Sequence, residues 1–128
     1  MTLIDKLIAL TGPDFNVDKE IYKALFADEY AARVEKLKSG PMGPRLTVYD
    51  YDGYIAVPAY TASIDAAMTL VPEGWTVAHI TQNDDKSWFA ELREGFLTSY
   101  NRVATSPINT ATPAIALCIA ALKARDLT

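Results

Sequence analysis

The sequence is poor in the residues that carry much of protein chemistry, since it contains one cysteine, Cys118, and one histidine, His79. One cysteine excludes an intramolecular disulfide, and one histidine with one cysteine cannot supply the three or four ligands of a zinc site. The chain also lacks a glycine-rich phosphate loop and the Gly-x-Ser-x-Gly turn of many serine hydrolases. The sequence therefore predicts neither a bound metal nor a cofactor.

Long apolar runs and excess positive charge are missing as well. No stretch approaches the roughly 18 apolar residues of a membrane span, and the first residues do not form a secretion signal. The formal net charge of −4 argues against a nucleic acid partner, because such affinity comes mostly from neutralised phosphates. We expect one cytoplasmic domain over residues 1–128, with no nucleic acid and no membrane as partner.

The last helix gives the strongest structural signal. Thr112 can cap its free amides, and Pro113 suits the first helical position, where an N–H would have no partner. The following residues are almost wholly apolar on every side, so we expect this helix to be buried against a sheet or another subunit. Cys118 falls within it and is expected to behave as a small apolar residue.

Helices are also predicted in the first third of the chain. Thr2 and Asp5 form a capping pair for a helix over residues 3–11. A second helix is expected to start at Asp18, and Asp28 could cap a break that divides it in two.

A helix is predicted again in the middle of the chain. Thr61 is expected to cap it, and Pro72-Glu73-Gly74 is expected to end it. Four apolar residues recur at helical spacing and would form its buried face: Ile64, Ala67, Met68 and Val71.

Alternating patterns predict two hairpins. The first runs from Leu46 to Val57 around an Asp52-Gly53 turn, and it places three tyrosines on one face and aliphatic residues on the other. A further strand is predicted from Phe96 to Val103.

The second hairpin runs from Trp75 to Leu92 around a polar turn at residues 82–86. Pairing Ile80 with Ser87 would place these residues on its core face: Trp75, Val77, His79, Trp88, Ala90 and Leu92. We therefore interpret His79 as a packed core residue opposite Trp88 rather than an acid–base group. The order of helices, strands, helix, strands and helix predicts an α+β fold with helices packed on a mainly antiparallel sheet.

The cluster with the most functional promise combines aromatic rings with positive charge. Tyrosine rings stack on flat ligands, and arginines bind phosphates through two parallel hydrogen bonds, which is what a nucleotide pocket requires. The residues concerned are Tyr49, Tyr51, Tyr54, Tyr60, Arg45, Arg93 and Arg102. The alternative is that helices cover these tyrosines, or that they form a subunit interface.

Two helix entries resemble those of the phage ABA sandwich domain family, which comprises small phage and prophage proteins. The first is Pro58, Tyr60 and Thr61, which match a Pro-x-Tyr-Ser/Thr start. The second is the final helix, in which the matching residues are Thr112, Pro113, Ala116, Ala120, Ala121 and Leu122. The chain has Ser63 where many relatives carry an acid, and its acid follows as Asp65. The resemblance implies a three-layer α-β-α sandwich and a phage accessory role, and it carries over no catalytic residue.

The leading hypothesis is a non-enzymatic phage accessory protein, expected to be a homo-oligomer, that counters host defence by binding a small nucleotide-like signal or a defence protein. A second hypothesis is an enzyme that degrades such a signal, with His79 or the Asp50/Asp52 pair as acid–base groups. A third is a structural or regulatory phage protein whose apolar last helix serves assembly. Asp50 and Asp52 are better explained by a tight turn than by a calcium loop, because the other calcium ligands are missing.

Overall fold

The computed structural model describes residues 2–38, 57–95 and 102–126. These residues form α1 Leu3–Ala9, α2 Phe15–Leu25, α3 Ala27–Lys38, α4 Ile64–Met68, β1 Trp75–Gln82, β2 Trp88–Glu94, β3 Val103–Thr105 and α5 Pro113–Ala124. Helices and an antiparallel sheet are both present, so the predicted α+β class is confirmed. None of the helices in these ranges is long and apolar enough to cross a membrane.

Helix α5 forms the centre of the core. The Thr112 hydroxyl accepts a hydrogen bond from the Ile115 backbone N–H at 3.1 Å, and Pro113 occupies the first turn, as predicted. Every residue of α5 except Pro113 and Lys123 is buried. The helix contacts all three strands as well as α1 and α4. Its burial against a sheet is confirmed, and its uniform apolarity is explained by contacts on all sides.

Helix α1 starts as predicted and ends early. The Thr2 hydroxyl accepts from the Asp5 N–H at 3.1 Å, while the Asp5 carboxylate accepts from the Thr2 N–H at 3.2 Å. This reciprocal pair is the predicted capping box. The helix stops at Ala9 rather than at residue 11, because Leu10 adopts an extended backbone with ψ 142°.

The predicted start of α2 at Asp18 is wrong. Asp14 caps this helix by accepting from the Val17 N–H at 3.0 Å, so Asp18 falls inside the first turn, where it is buried. The predicted break is confirmed but lies at Phe26, whose backbone leaves the helical region at φ −131° and ψ 48°. Asp28 therefore sits in the first turn of α3 and does not cap it.

The predicted cap of α4 is also wrong. Ser63, not Thr61, accepts from the Ala66 N–H at 3.2 Å, and Thr61 is buried three residues before the helix starts at Ile64. The helix is short and ends at Met68, before Pro72. Of the predicted apolar face only Ala67 is buried; Val71 is partly buried, and Ile64 and Met68 are exposed. The buried Leu70 was not part of the predicted face.

The hairpin of β1 and β2 exists, but its predicted register is wrong. Ile80 pairs with Ala90 rather than with Ser87. The Asn83 N–H donates to the Ser87 carbonyl at 2.8 Å, so three residues ending at Lys86 form the turn. Lys86 has φ 72°, the positive value that the last residue of a three-residue hairpin loop commonly adopts.

A bulge in β1 overturns the prediction that His79 is a core residue. Val77 pairs with Leu92 whereas His79 pairs with Glu91, so Ala78 is an extra residue on this strand. An extra residue reverses the side-chain alternation beyond it. His79 therefore points away from the core, and its side chain is 45% exposed. The other predicted core-face residues do pack in or against the core: Trp75, Val77, Trp88, Ala90 and Leu92.

Two predicted elements lie mostly outside the described residues. The hairpin from Leu46 to Val57 lies outside the described residues except for Val57. Of the strand predicted over 96–103, residues 96–101 also lie outside them. Val103 begins β3, which pairs antiparallel with β2 and gives the sheet order β1-β2-β3.

The described helices stack on one side of this sheet. Helix α5 packs on the strands, α1 and α4 pack on α5, and α2 and α3 follow outward from α1. The face that meets α5 carries the buried residues Ala90, Leu92 and Ala104. The three-layer α-β-α arrangement stays a prediction.

Candidate functional site

The sheet has a second face, turned away from α5, on which aromatic, charged and hydroxyl side chains gather. The register places the following residues on it: Thr76, His79, Thr81, Phe89, Glu91, Arg93, Val103 and Thr105. We call this surface the open sheet face. It is built by the ordinary alternation of β2 and β3 and by the bulge in β1, which brings His79 beside Glu91.

His79 is held in place by three neighbours on this face. Its Nδ1 lies 3.0 Å from the Thr81 hydroxyl, and its ring centroid lies 5.5 Å from that of Phe89 with the planes tilted by 43°. Its Nε2 lies 3.9 Å from Glu91 Oε1, beyond hydrogen-bond distance. The two neighbouring rings provide aromatic surface at the centre of the sheet.

Glu91 and Arg93 form the charged part of the open sheet face. Arg93 Nε donates to Glu91 Oε2 at 2.6 Å, the short distance of a charge-assisted hydrogen bond. The Glu91 side chain is 16% exposed and that of Arg93 is 36% exposed. A partly exposed pair of this kind adds little to stability, but it fixes the orientation of the guanidinium. Rings, a carboxylate acceptor and an oriented cation thus lie side by side.

The structure does not bring the described members of the predicted tyrosine–arginine cluster together. Arg93 lies on the open sheet face. The Arg102 carbonyl accepts from the Glu94 N–H at 2.9 Å, so Arg102 pairs with the residue after Arg93 and occupies the opposite face. Tyr60 is 1% exposed and belongs to the core. Tyr49, Tyr51, Tyr54 and Arg45 lie outside the described residues, and their part in a site stays a prediction.

Arg102 joins the sheet to the end of α5. Its guanidinium lies over the Trp75 ring, 5.2 Å from the centroid. It also donates to both oxygens of Asp126 at 3.2 Å and to Glu94 at 3.4 Å. These contacts are those of a residue that ties two elements together.

A buried polar network surrounds Thr61. Asp18 is 4% exposed, and its Oδ1 accepts from both the N–H and the hydroxyl of Thr61 at 2.8 Å. The Thr61 hydroxyl in turn accepts from the Asp14 N–H at 2.8 Å. Burial raises the pKa of Asp18, although the bonds from Thr61 oppose that shift. The network ties the first turn of α2 to the segment before α4.

Two titratable groups lie behind this network and are unsuited to chemistry near neutral pH. Burial raises the pKa of Tyr60 to about 12. Burial likewise raises the pKa of the Cys118 thiol, whose sulfur donates to the Tyr60 carbonyl at 3.3 Å. The prediction that Cys118 is a buried apolar residue is confirmed.

A groove of about 300 Å³ opens where α2, α4 and α5 begin. Its lining consists of Pro13, Thr61, Ala62, Ser63, Ile64, Asp65, Thr112, Pro113 and Ala114. The cap side chains of Ser63 and Thr112 already accept from backbone N–H groups of their own helices. Asp65 adds negative charge at the rim, so this groove is less suited to an anionic ligand than the open sheet face is.

The sequence interpretation did not identify three residues of the open sheet face as site residues: Thr81, Phe89 and Glu91. The strict alternation of β2 from Trp88 to Glu94 carried the necessary signal, because it separates an apolar row from the row that holds Phe89, Glu91 and Arg93. The bulge that adds His79 to this row has no comparable signal in the sequence.

Comparisons of the chain with family models, with curated proteins and with solved structures yield no match. Over the described ranges, no group of three or more histidine, cysteine, aspartate and glutamate side chains is placed to hold a metal ion.

Proposed function

We propose that this protein is a non-enzymatic phage accessory protein that counters a host defence by binding a small nucleotide-like signal, and that the open sheet face is its binding surface. The observation that carries the proposal is the juxtaposition of the His79–Phe89 ring pair with the Arg93 guanidinium, held by Glu91. Rings stack on a base, and a guanidinium pairs with a phosphate. The phage role and the three-layer sandwich rest on the resemblance of the helix entries described above.

The size of the open sheet face favours a small molecule over a defence protein. A strand of 8 residues is about 26 Å long, and three strands together are about 14 Å wide. Because β2 has 7 residues and β3 only 3, the footprint of the three described strands is about 280 Å², about a third of the roughly 800 Å² that each partner buries in a specific protein–protein interface. A nucleotide needs far less area. The defence-protein version of the hypothesis requires additional surface.

The first test is native mass spectrometry of the protein purified from host cells, followed by release and identification of any bound small molecule. The expected result is a homo-oligomer in the host cytoplasm that carries a nucleotide-like mass. Calorimetry with mononucleotides, cyclic dinucleotides and ADP-ribose-type molecules then gives the affinity. An absence of heat with every one of these compounds contradicts the proposal.

Variants locate the binding surface. Arg93→Gln removes a charge-assisted bond to phosphate, and such bonds contribute about 1.5 to 3 kcal/mol, so affinity should fall roughly 10-fold to 100-fold. Arg33→Gln is the matched control, because Arg33 is an exposed arginine on α3, over the Tyr22 ring and distant in sequence from the sheet. Equal losses for both variants would show that only overall charge matters.

A second candidate function is an enzyme that degrades the signal, with His79 as the acid–base group. The exposure of His79 favours this alternative, because an acid–base group must be accessible to the substrate whose proton it transfers. The test is incubation of the protein with each bound nucleotide and chromatography of the products. Turnover that His79→Ala abolishes would establish the enzyme, and unchanged nucleotide after long incubation excludes it for that compound.

A further inference from the structure

The outer edge of β1 presents backbone groups that are turned away from the rest of the sheet. In β2 the Ala90 carbonyl accepts from the Ser106 N–H at 3.0 Å, so this part of β2 directs its backbone groups toward β3. Ile80 lies opposite Ala90 and therefore directs its own N–H and carbonyl away from β2, because opposed residues of an antiparallel pair exchange either both bonds or neither. Val77 and Gln82 face outward by the same alternation. Within the described residues, no acceptor takes up the N–H groups of Val77, Ile80 and Gln82.

The strand also lacks the side chains with which sheet edges usually repel another strand. Its eight residues include no lysine, arginine, aspartate, glutamate or proline. The edge formed by β3 differs, because that strand has only three residues. Val77 and Ile80 pack against the core but stay partly exposed at the edge of β1. The edge of β1 is therefore suited to pairing with another uncharged strand.

The bulge makes this edge complementary to itself. The outward-facing residues are Trp75, Val77, Ile80 and Gln82, and their intervals of two, three and two positions are the same when read in either direction. Two copies related by a two-fold axis pair this strand antiparallel, with Val77 opposite Ile80 of the second copy and Gln82 opposite Trp75 of the second copy. A bulge often turns an edge away from other strands. Here the extra residue recurs at the same level in both copies, so the two edges stay matched in length.

We propose that β1 is a homodimerisation edge, at which two copies of this chain join their three-stranded sheets into one continuous sheet. Val77 and Ile80 of opposite copies exchange two backbone hydrogen bonds, and each Gln82 N–H donates to a Trp75 carbonyl. The Trp75 N–H takes no part, because it already donates to the Pro72 carbonyl at 3.2 Å. The two-fold axis is perpendicular to the sheet, so both α5 helices lie on one side and the two open sheet faces adjoin on the other. This inference goes beyond the proposed function, since it holds whether or not that face binds a nucleotide.

The experiment is sedimentation velocity of the full chain over a range of concentrations. The wild-type chain should form a dimer of twice 14.0 kDa. Gln82→Pro removes an outward N–H from each copy and no bond to β2, and proline is tolerated where the N–H of an edge strand faces outward. Loss of two hydrogen bonds should weaken self-association at least about 10-fold. Gln82→Ala is the matched control, because it changes the same exposed side chain, keeps the N–H and should dimerise like the wild type.

Amide hydrogen exchange of the wild-type chain gives a second readout that needs no variant. The N–H groups of Val77, Ile80 and Gln82 should exchange slowly where the dimer predominates and rapidly after dilution to the monomer. A chain that stays monomeric, or a dimer in which these amides exchange rapidly, overturns the proposal. Slow exchange in a monomer overturns it as well, because the chain itself would then occupy the edge. Calorimetry with nucleotides tests the proposed function separately, since a monomer can still bind a nucleotide.

Discussion

The Thr61 hydroxyl provides a sharp test of how the described helices are held together. Thr61 is 1% exposed, and its hydroxyl donates to Asp18 Oδ1 and accepts from the Asp14 N–H, both at 2.8 Å. Thr61→Val keeps the shape of the side chain and removes both bonds. The Asp14 N–H then loses its acceptor, while Asp18 keeps only the bond from the Thr61 backbone N–H.

The expected loss of stability can be estimated from these two bonds. A hydrogen bond to a charged group contributes about 1.5 to 3 kcal/mol, and a shielded donor left without a partner costs about 1 to 3 kcal/mol. Some relaxation is expected at Asp14, which is only partly buried. We therefore expect a decrease of about 3 kcal/mol in the free energy of unfolding, a large part of the roughly 5 to 15 kcal/mol typical of a domain. The melting temperature should fall by about 10 °C.

Urea denaturation followed by circular dichroism measures this change. Thr61→Ser retains the hydroxyl and should recover most of the stability. Thr69→Val is the matched control, because Thr69 is exposed at the end of α4 and its hydroxyl donates to the Ala66 carbonyl of the adjoining helical turn. That variant should change the free energy of unfolding by less than about 0.5 kcal/mol. A Thr61→Val protein as stable as wild type would refute the assigned role of the network.

Three further predictions concern Asp18, Cys118 and Thr112. Because burial raises the pKa of Asp18 in the folded state, its contribution to stability is full below the ordinary pKa of 3.8 and is lost as pH rises through the folded pKa. In urea titrations, the stability of Asp18→Asn relative to wild type should therefore increase as the pH rises from 3 to 7. A difference in free energy of unfolding that does not change with pH would contradict this. The Cys118 thiol is fully buried, and burial raises its pKa, so it should react with a disulfide reagent only at the rate at which the protein unfolds. Rapid labelling of the native protein would contradict that burial. Thr112→Ala should lower the free energy of unfolding by about 1 kcal/mol through loss of the α5 cap, and Thr112→Ser should largely restore it in the same assay.

Local signals in the sequence predicted α1 and α5 well because both helices begin with residues that act on their own backbone. Thr2 with Asp5, and Thr112 with Pro113, need no distant partner to start a helix. The continuous apolarity of α5 likewise reports burial on all sides. In such places, local chemistry and the final fold agree.

The predicted helix starts were wrong where a residue that could cap a helix forms hydrogen bonds to a residue distant in sequence instead. Thr61 and Ser63 can both cap a helix, but Asp18 binds Thr61 across 43 positions of sequence and leaves Ser63 to do so. Because Asp18 binds Thr61, it does not cap α2, and Asp14 caps that helix instead. Spacing within the sequence cannot distinguish these pairs, because tertiary contacts decide between them.

The composition of the candidate site also depends on a feature that the sequence does not reveal, the bulge in β1. The alternation of β2 shows that Arg93 and Glu91 share a face, and the structure confirms that alternation. The bulge at Ala78 moves His79 from the predicted core face to the open sheet face. A single extra residue reverses the side-chain alternation beyond it, and the spacing of the sequence does not reveal it, so the sequence alone assigned His79 to the wrong side.

The most direct test of the central claim is a two-dimensional ¹H–¹⁵N NMR titration of the full chain with guanosine monophosphate. If the open sheet face binds nucleotides, the amide signals of His79, Phe89, Glu91 and Arg93 should shift together and saturate, while those of α3 stay in place. Unchanged spectra at millimolar nucleotide, or shifts confined to the groove around Ser63, would contradict the assignment of binding to this face.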